Sequence, residues 1–275
     1  MGGPAERQAL VDLGVDGHVH TEFCHHAVGG MEDYVRAALA RGLAGIVFLE
    51  HLEVGIRYDG PTWLSDQEFA AFFAQGRRLK DRYQGRIAIQ TGMEVGYNPE
   101  TVPGILERLA RFRPDRIGIS FHFLPVGGGH VNLLSRRRAN RAALAGLDAG
   151  QVIRAYYRHV RDALVELPGD VACHLDAPLR HYPDFRYGLV EMALVREILG
   201  LIRERGMALE INTSGFRFRS EPFPAGCILQ EARELGLPLV LGSDAHHPGE
   251  VGRHFELVPA LLAGQPGCPG GTATA

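Results

Sequence analysis

Residues 14–26 read Gly-Val-Asp-Gly-His-Val-His-Thr-Glu-Phe-Cys-His-His. The Val-Asp lead-in ending at Asp16 has the pattern of a short buried strand, and His18 and His20 follow at i and i+2. Residues two apart in a strand point to the same face. Two imidazoles would therefore stand side by side at a strand end, as a metal ion needs. His25 or His26 comes soon after. One His pair reads equally well as a satisfied surface pair, so what the later strands carry decides its meaning.

Outward from that stretch, short β-branched runs alternate with helical patterns, the signature of parallel βα units. Strands are expected at 11–18, 45–49, 87–95, 116–123, 170–175, 208–212 and 237–242. Helices are expected at 31–41, 102–112, 151–167, 189–205 and 225–235. Another helix should run from an N-cap at Ser65, with Glu68 at the capping-box position, to about Tyr83. The longest irregular stretch is 124–150, which holds Gly127-Gly128-Gly129 and the basic run Arg136-Arg137-Arg138. Residues 1–10 read as an extension, 11–262 as one barrel-like domain, and 263–275 as a low-complexity tail expected to be disordered.

The 275 residues are 45% hydrophobic and 22% charged, which fits one ordinary globule, since α/β barrels take roughly 250 residues. A formal net charge of −3 gives no bulk attraction for nucleic acid or an anionic membrane. The cysteines Cys24, Cys173, Cys227 and Cys268 form no C-x-x-C pair and are too sparse for a disulfide framework. They read as free thiols of a reducing compartment. With no signal peptide and no apolar run near ~18 residues, a cytoplasmic protein is expected. The 13 histidines exceed what packing needs, and the single lysine, Lys80, falls in a helix.

Chemistry in βα barrels sits at the carboxyl ends of the strands. The residues leaving the expected strands are His18 and His20, Glu50 and His51, Glu94, His122, His174 and Asp176, Asn212-Thr213-Ser214, and Asp244 with His246. Each alone has a plain explanation, a carbonyl-bonded core histidine or an N-cap aspartate. Their coincidence at one rim does not, because crowded buried imidazoles and carboxylates carry a large desolvation cost that divalent cations relieve. Asp244-x-His246 repeats the spacing of His18-x-His20. So many ligands suit two or three ions, and the mixed His and carboxylate set suits Zn, Fe or Mn.

This ordered set resembles the PHP (polymerase and histidinol phosphatase) superfamily, and most of all its stand-alone histidinol-phosphate phosphatases. It comprises Asp16-Gly-His18-Val-His20-Thr21, Glu50-His51, Gly92-Met-Glu94, Ser120-Phe-His122, His174-Leu-Asp176, Asn212-Thr-Ser-Gly215 and Gly242-Ser-Asp244-Ala-His246. The resemblance spans roughly residues 16–252. It implies a distorted seven-stranded (β/α)7 TIM-like barrel with a trinuclear metal centre that hydrolyses a small phosphorylated substrate. By that resemblance His18, His20, Glu94 and Asp244 hold one ion. Glu94, His122 and His174 hold a second, and His26, His51 and His246 a third, with His26 preferred over His25 by the spacing from Thr21 through Cys24. Arg217 matches an arginine that binds the substrate phosphate, and Arg180 a second basic position with the same role. Asp176 or a metal-bound water is the candidate proton donor to the leaving alkoxide.

One departure concerns the substrate's organic half. After His122 the family continues with an aromatic residue and an acid placed to meet a cation, whereas here the run is Pro125-Val-Gly-Gly-Gly-His130. Other readings fare worse. A nuclease of this superfamily would want a basic groove with aromatic platforms, and Arg136–Arg138 with Arg141 reads as a solvated face. An amidohydrolase barrel needs a strand-borne lysine, which Lys80 is not. A non-catalytic metal-binding module would be expected to lack some of the ligands.

Overall fold

The computed structural model describes residues 11–264. The expected N-terminal extension, and the expected tail from residue 265 onward, lie outside the described residues. The strands in chain order are β1 (Val15–Val19), β2 (Gly45–Glu53), β3 (Ala88–Gly96), β4 (Ile117–Ser120), β5 (Phe123–Val126), β6 (Gly129–Asn132), β7 (Val171–Ala172), β8 (Ala208–Asn212) and β9 (Leu239–Gly242). Seven of them form one parallel sheet in the order β1-β2-β3-β4-β7-β8-β9. Its two edges meet beyond the strand ends. Asp244 N donates to His18 O at 2.8 Å, His20 N donates to Ala245 O at 2.9 Å, and Val19 bridges Ala245 in parallel. The sheet is thereby nearly closed into the expected barrel.

The two faces of each strand do different work. Outward residues such as Ile46, Phe48 and Leu52 of β2, Ile89, Met93 and Val95 of β3, and Leu209 and Ile211 of β8 join the large core under the helices. Inward, Val47, Leu49, Val171 and Cys173, with Val15, Ala208 and Val240 against them, make a small apolar plug at one end of the barrel. With a period of two, the inward series of β2 continues from Val47 and Leu49 to His51 and Glu53. The barrel interior thus turns from apolar to polar toward the carboxyl ends.

β1 reaches this pattern only through an irregularity. Val15 pairs Gly45 and Asp16 pairs Ile46, but Val19 pairs Phe48, so one extra residue lies in β1 between Asp16 and Val19. Strict alternation from the inward Val15 would send His18 and His20 outward. The bulge shifts the phase, places Val19 in the outer core and turns both histidines inward, the kind of re-aiming that bulges perform. Gly17 sits in this bulge, where a Cβ would stand 2.6 Å from Leu241 O across the seam. Only glycine lets β1 and β9 approach so closely.

The helices follow the reading of the sequence. They are α1 (Met31–Ala40), α2 (Asp66–Arg82), α3 (Val102–Phe112), α4 (Arg138–Ala145), α5 (Ala149–Glu166), α6 (Leu189–Glu204), α7 (Gly226–Glu234) and α8 (Val258–Ala263). The capping box at α2 is present: Glu68 N donates to Ser65 Oγ and Ser65 N to Glu68 Oε2 at 2.7 Å. Two expectations change. The stretch 124–150 is ordered: β5 and β6 pair as an antiparallel hairpin, and α4 follows. The fifth barrel strand is only two residues long, because the chain turns out of the ladder before His174, whose φ is +26°.

Among the described residues no helix is long and apolar enough to cross a membrane. Cys24 and Cys173 are buried free thiols. Cys227 is disulfide-bonded, so the expectation that all the cysteines are free thiols is corrected. Cys268 lies outside the described residues.

Candidate metal centre

At the carboxyl end of the barrel the expected ligands converge on Glu94. Its Oε1 lies 2.6 Å from His174 Nε2 and 3.0 Å from His122 Nε2, and its Oε2 lies 2.7 Å from His51 Nδ1 and 3.6 Å from both His18 Nε2 and His20 Nε2. His18 Nε2 and His20 Nε2 are 3.0 Å apart, and Asp244 Oδ1 is 3.3 Å from His20 Nε2. Donor atoms around one tetrahedral ion at ~2.0–2.1 Å stand roughly 3.3 Å from one another, and these spacings bracket that value. His246 completes the rim. Its ring lies 4.4 Å from that of His20 and 4.5 Å from that of His26, and the His26 ring is 5.5 Å from that of His51.

His25 goes elsewhere. At φ +63° it caps a 3-10 turn and directs Nε2 to Glu68 Oε1 at 3.2 Å on the outer surface. His26 instead holds Cys24 O through Nδ1 at 2.8 Å and lines the central cavity.

The donor set fits bound cations by its own hydrogen-bond bookkeeping. Glu94 Oε2, His122 Nε2 and His246 Nε2 are all buried with no hydrogen bond of good geometry. A buried polar atom left unpaired costs about 1–3 kcal/mol, and three at one rim call for something that binds lone pairs. Titration behaviour follows from the same crowding. Burial disfavours charge on Glu94, yet His122, His51 and His18 hold it well below the usual carboxylate range. Asp244 is likewise held low, chiefly by His20 against the effect of burial. Burial, then His246 and His51, depress His26 to about 3. Burial also works to keep His122 neutral, but Glu94 and Glu53 raise it to about 10.

Four residues that the sequence reading passed over hold this rim in place. Glu210 Oε1 lies 2.7 Å from His18 Nδ1, and its Oε2 accepts from His174 N at 2.7 Å. Glu53 Oε1 lies 2.7 Å from His122 Nδ1. Both are carboxylate–histidine pairs of the sort that fix the orientation of a metal-ligating ring. Arg253 donates to Ser243 O through Nε and Nη2 at 3.1 and 2.8 Å and to Asp244 O at 3.2 Å, pinning Asp244 in its left-handed conformation (φ +52°). Glu250 bonds Arg217 Nη1 and Arg253 Nη1, each at 2.9 Å. Position two beyond His51 and position two before Asn212 were the available signals for Glu53 and Glu210.

The rim opens into a cavity of about 310 Å³, lined among others by Glu53, Phe123, Arg136, Arg137, Arg180 and Arg217. Arg180 and Arg217 both line this cavity. Two expectations are corrected. The run Arg136–Arg138 is not simply a solvated face, because Arg136 and Arg137 line the cavity. Asp176 does not line it. Its Oδ2 accepts from Ala225 N and Tyr187 Oη, each at 2.9 Å, and lies 3.4 Å from Arg219 Nη1. The chain has left the strand by His174, so the i, i+2 rule does not carry Asp176 to the rim. It organises the packing behind the site.

The PHP domain profile matches residues 16–214, and the PHP-associated profile residues 228–260. The chain belongs to the PHP family. This PHP chain is 33% identical to the probable histidinol-phosphatase of Deinococcus radiodurans over 244 residues, which cover 87% of this chain and 89% of that protein. It is 30% identical to the histidinol-phosphatase of Bacillus subtilis, over 88% of this chain and 96% of that one. In fold it matches the histidinol phosphate phosphatase of Lactococcus lactis, solved with zinc, L-histidinol and phosphate, with a TM-score of 0.75 at 21% identity, over 90% and 92% of the two chains. A candidate histidinol phosphatase from Listeria monocytogenes matches with a TM-score of 0.80 at 22% identity, over 88% and 99%.

Proposed function

We propose that this PHP protein hydrolyses L-histidinol phosphate to L-histidinol and phosphate, a step of histidine biosynthesis in the cytoplasm. The single observation that carries the reading is the shared cavity: the histidine and carboxylate rim and the guanidiniums of Arg180 and Arg217 face the same space. The relatives named as histidinol-phosphatases supply the substrate. His18, His20, Glu94 and Asp244 would hold one ion, Glu94, His122 and His174 a second, and His26, His51 and His246 a third. Bound there, two or three divalent ions (Zn, Fe or Mn, with zinc favoured by the Lactococcus neighbour) would lower the pKa of water from ~15.7 toward ~7 and would neutralise phosphoryl charge.

The chain's own groups do the rest. Arg180 and Arg217 bind phosphoryl oxygens, a task suited to planar guanidinium donors, and stabilise the charge spread over them as water adds to phosphorus and the phosphorus–oxygen ester bond breaks. Glu250 holds Arg217 from behind. Toward the organic half, Phe123 lines the cavity with Tyr58 and Trp63 packed on it at 5.1 and 5.6 Å between ring centres. Glu53 is an acid in the same cavity lining. An aromatic wall and a carboxylate thus reach the substrate cation from β2, its following loop and Phe123, although the run after His122 lacks the usual pair.

The test is phosphate release from a panel of phosphomonoesters that includes histidinol phosphate, with a single-stranded oligonucleotide beside them. The reading expects histidinol phosphate to be hydrolysed with the highest kcat/KM. Cleavage of the oligonucleotide alone would replace it with a nuclease.

A further inference from the structure

We infer that Arg136 is a third phosphate-binding arginine of this site, stacked beside Arg180 on Phe218 and supplied by the turn that follows the β5–β6 hairpin. The inference rests on the phosphatase reading and adds to it a residue that the ligand motifs do not contain.

Three observations carry it. First, two guanidiniums share one aromatic ring: Arg180 Cζ lies 4.7 Å from the centre of Phe218 and Arg136 Cζ lies 5.5 Å from it. Phe218 itself lines the cavity. Like charges gathered on one ring repel unless an anion joins them, and neither guanidinium has a carboxylate partner among the described residues. Arg180 spends Nε on Ala177 O at 3.1 Å, while its Nη2 is buried with no hydrogen bond. Several arginines elsewhere in this protein pair with acids, as Arg196 does with Glu231 and Arg111 with Asp66.

Second, the turn that bears Arg136 is built to hold it. Asn132 Oδ1 accepts from Leu134 N at 2.8 Å and Ser135 N at 2.9 Å. Asn140 Oδ1 accepts from Asn132 N at 2.9 Å, and its amide donates back to Asn132 O and Ser135 O. Asn140 is buried. The hairpin is docked in turn on the β2–α2 loop, where His130 N donates to Arg57 O at 3.0 Å and Arg57 N to His130 Nδ1 at 3.1 Å. A preorganised donor binds an anion without first losing its own freedom.

Third, Arg136 and Arg137 are not equivalent. Arg137 Nη1 already donates to Asp59 O at 3.2 Å, so it braces the loop. Arg138 opens α4 and is exposed, outside the cavity lining. Arg136 alone of the three combines a place in the lining with uncommitted donors. Arg180, Arg217 and Arg136 would then hold the phosphoryl group together.

The test compares Arg136→Gln, Arg136→Lys and the neighbouring control Arg138→Gln with the wild type, all at matched metal content. Binding of inorganic phosphate is titrated by calorimetry, and KM and kcat are measured on histidinol phosphate. Loss of one charge-assisted contact should raise the phosphate Kd and KM of Arg136→Gln roughly tenfold or more with a much smaller change in kcat. Arg136→Lys should recover part of the loss, and Arg138→Gln should match the wild type. An unchanged phosphate Kd in Arg136→Gln, an equal change in Arg138→Gln, or no phosphate binding by the wild type overturns the inference. A wild type that binds phosphate but hydrolyses no monoester would instead remove the phosphatase reading, and the titration would still decide Arg136.

Discussion

His18 on β1 and Glu210 on β8 meet at 2.7 Å across the seam that closes the barrel, with β9 between their strands. Glu210 also holds the backbone of His174, so one carboxylate orients two residues of the rim. Burial favours the neutral form of His18, yet Glu210 and Glu94 together hold it well above the ordinary imidazole value. Replacing Glu210 by Gln keeps the volume and removes the charge. Metal affinity should fall roughly 10- to 100-fold, the usual cost of losing such a partner, as read by competition with a chelator. Unchanged affinity would mean that the pair is only structural.

Protons and metal compete for the rim, and the sign follows from His122. In protein stripped of metal, burial opposes its charge but Glu94 and Glu53 raise it to about 10, against ~6.5 in the unfolded chain. Its ion pairs therefore stabilise the stripped fold fully below ~6.5, and that contribution is lost as pH rises through about 10. His26, depressed to about 3 by burial and the adjacent His246 and His51, acts oppositely: its contribution is lost as pH falls from ~6.5 toward about 3. Metal uptake near pH 7.5 should thus release protons and strengthen with rising pH. Calorimetry in two buffers of different ionisation enthalpy counts those protons. Uptake without proton release would show that His122 is neutral before metal arrives.

Gly17 tests the bulge. An added Cβ would press on Leu241 O at 2.6 Å, a backbone atom that cannot swing aside, so Gly17→Ala should cost about 1–3 kcal/mol by overpacking. Because the bulge is what turns His18 and His20 inward, bound metal should fall along with stability. A stable variant with full metal content would refute the link between seam and site.

Asp176→Asn separates structure from proton transfer. The carboxylate holds Ala225 N and Tyr187 Oη and faces Arg219, and burial raises its pKa to about 6 even against Arg219 and those bonds. The variant should lose about 1–3 kcal/mol of stability while keeping the shape of the pH–kcat profile. A well-folded variant with one limb of that profile missing would return Asp176 to a catalytic role.

Much of the site was legible because barrel strands deliver residues in steps of two: His18 with His20, and Asp244 with His246, announced themselves by spacing. The rule failed where a strand departed from regularity. The hydrophobic run of β2 stops at Leu49, so the strand was ended early and Glu53, which continues the inward series after His51, went unread. β7 ends at Ala172, so Asp176 was carried to a rim it does not reach. Arg136 looked like solvated charge because its place depends on the Asn132–Asn140 turn, whose bonds span eight residues inside a glycine-rich segment. The bulge at Gly17 left no trace in composition or periodicity, although the meaning of the two histidines beside it depends on that bulge.

The account stands on the rim being a multinuclear metal centre joined through Glu94. The most direct measurement is metal content per chain together with phosphate release from histidinol phosphate, made on wild type and on Glu94→Ala. Two or three divalent ions with turnover in the wild type, and loss of at least one ion with loss of turnover in the variant, is the predicted result. Full turnover by Glu94→Ala, or by wild type carrying no divalent ion, would contradict it.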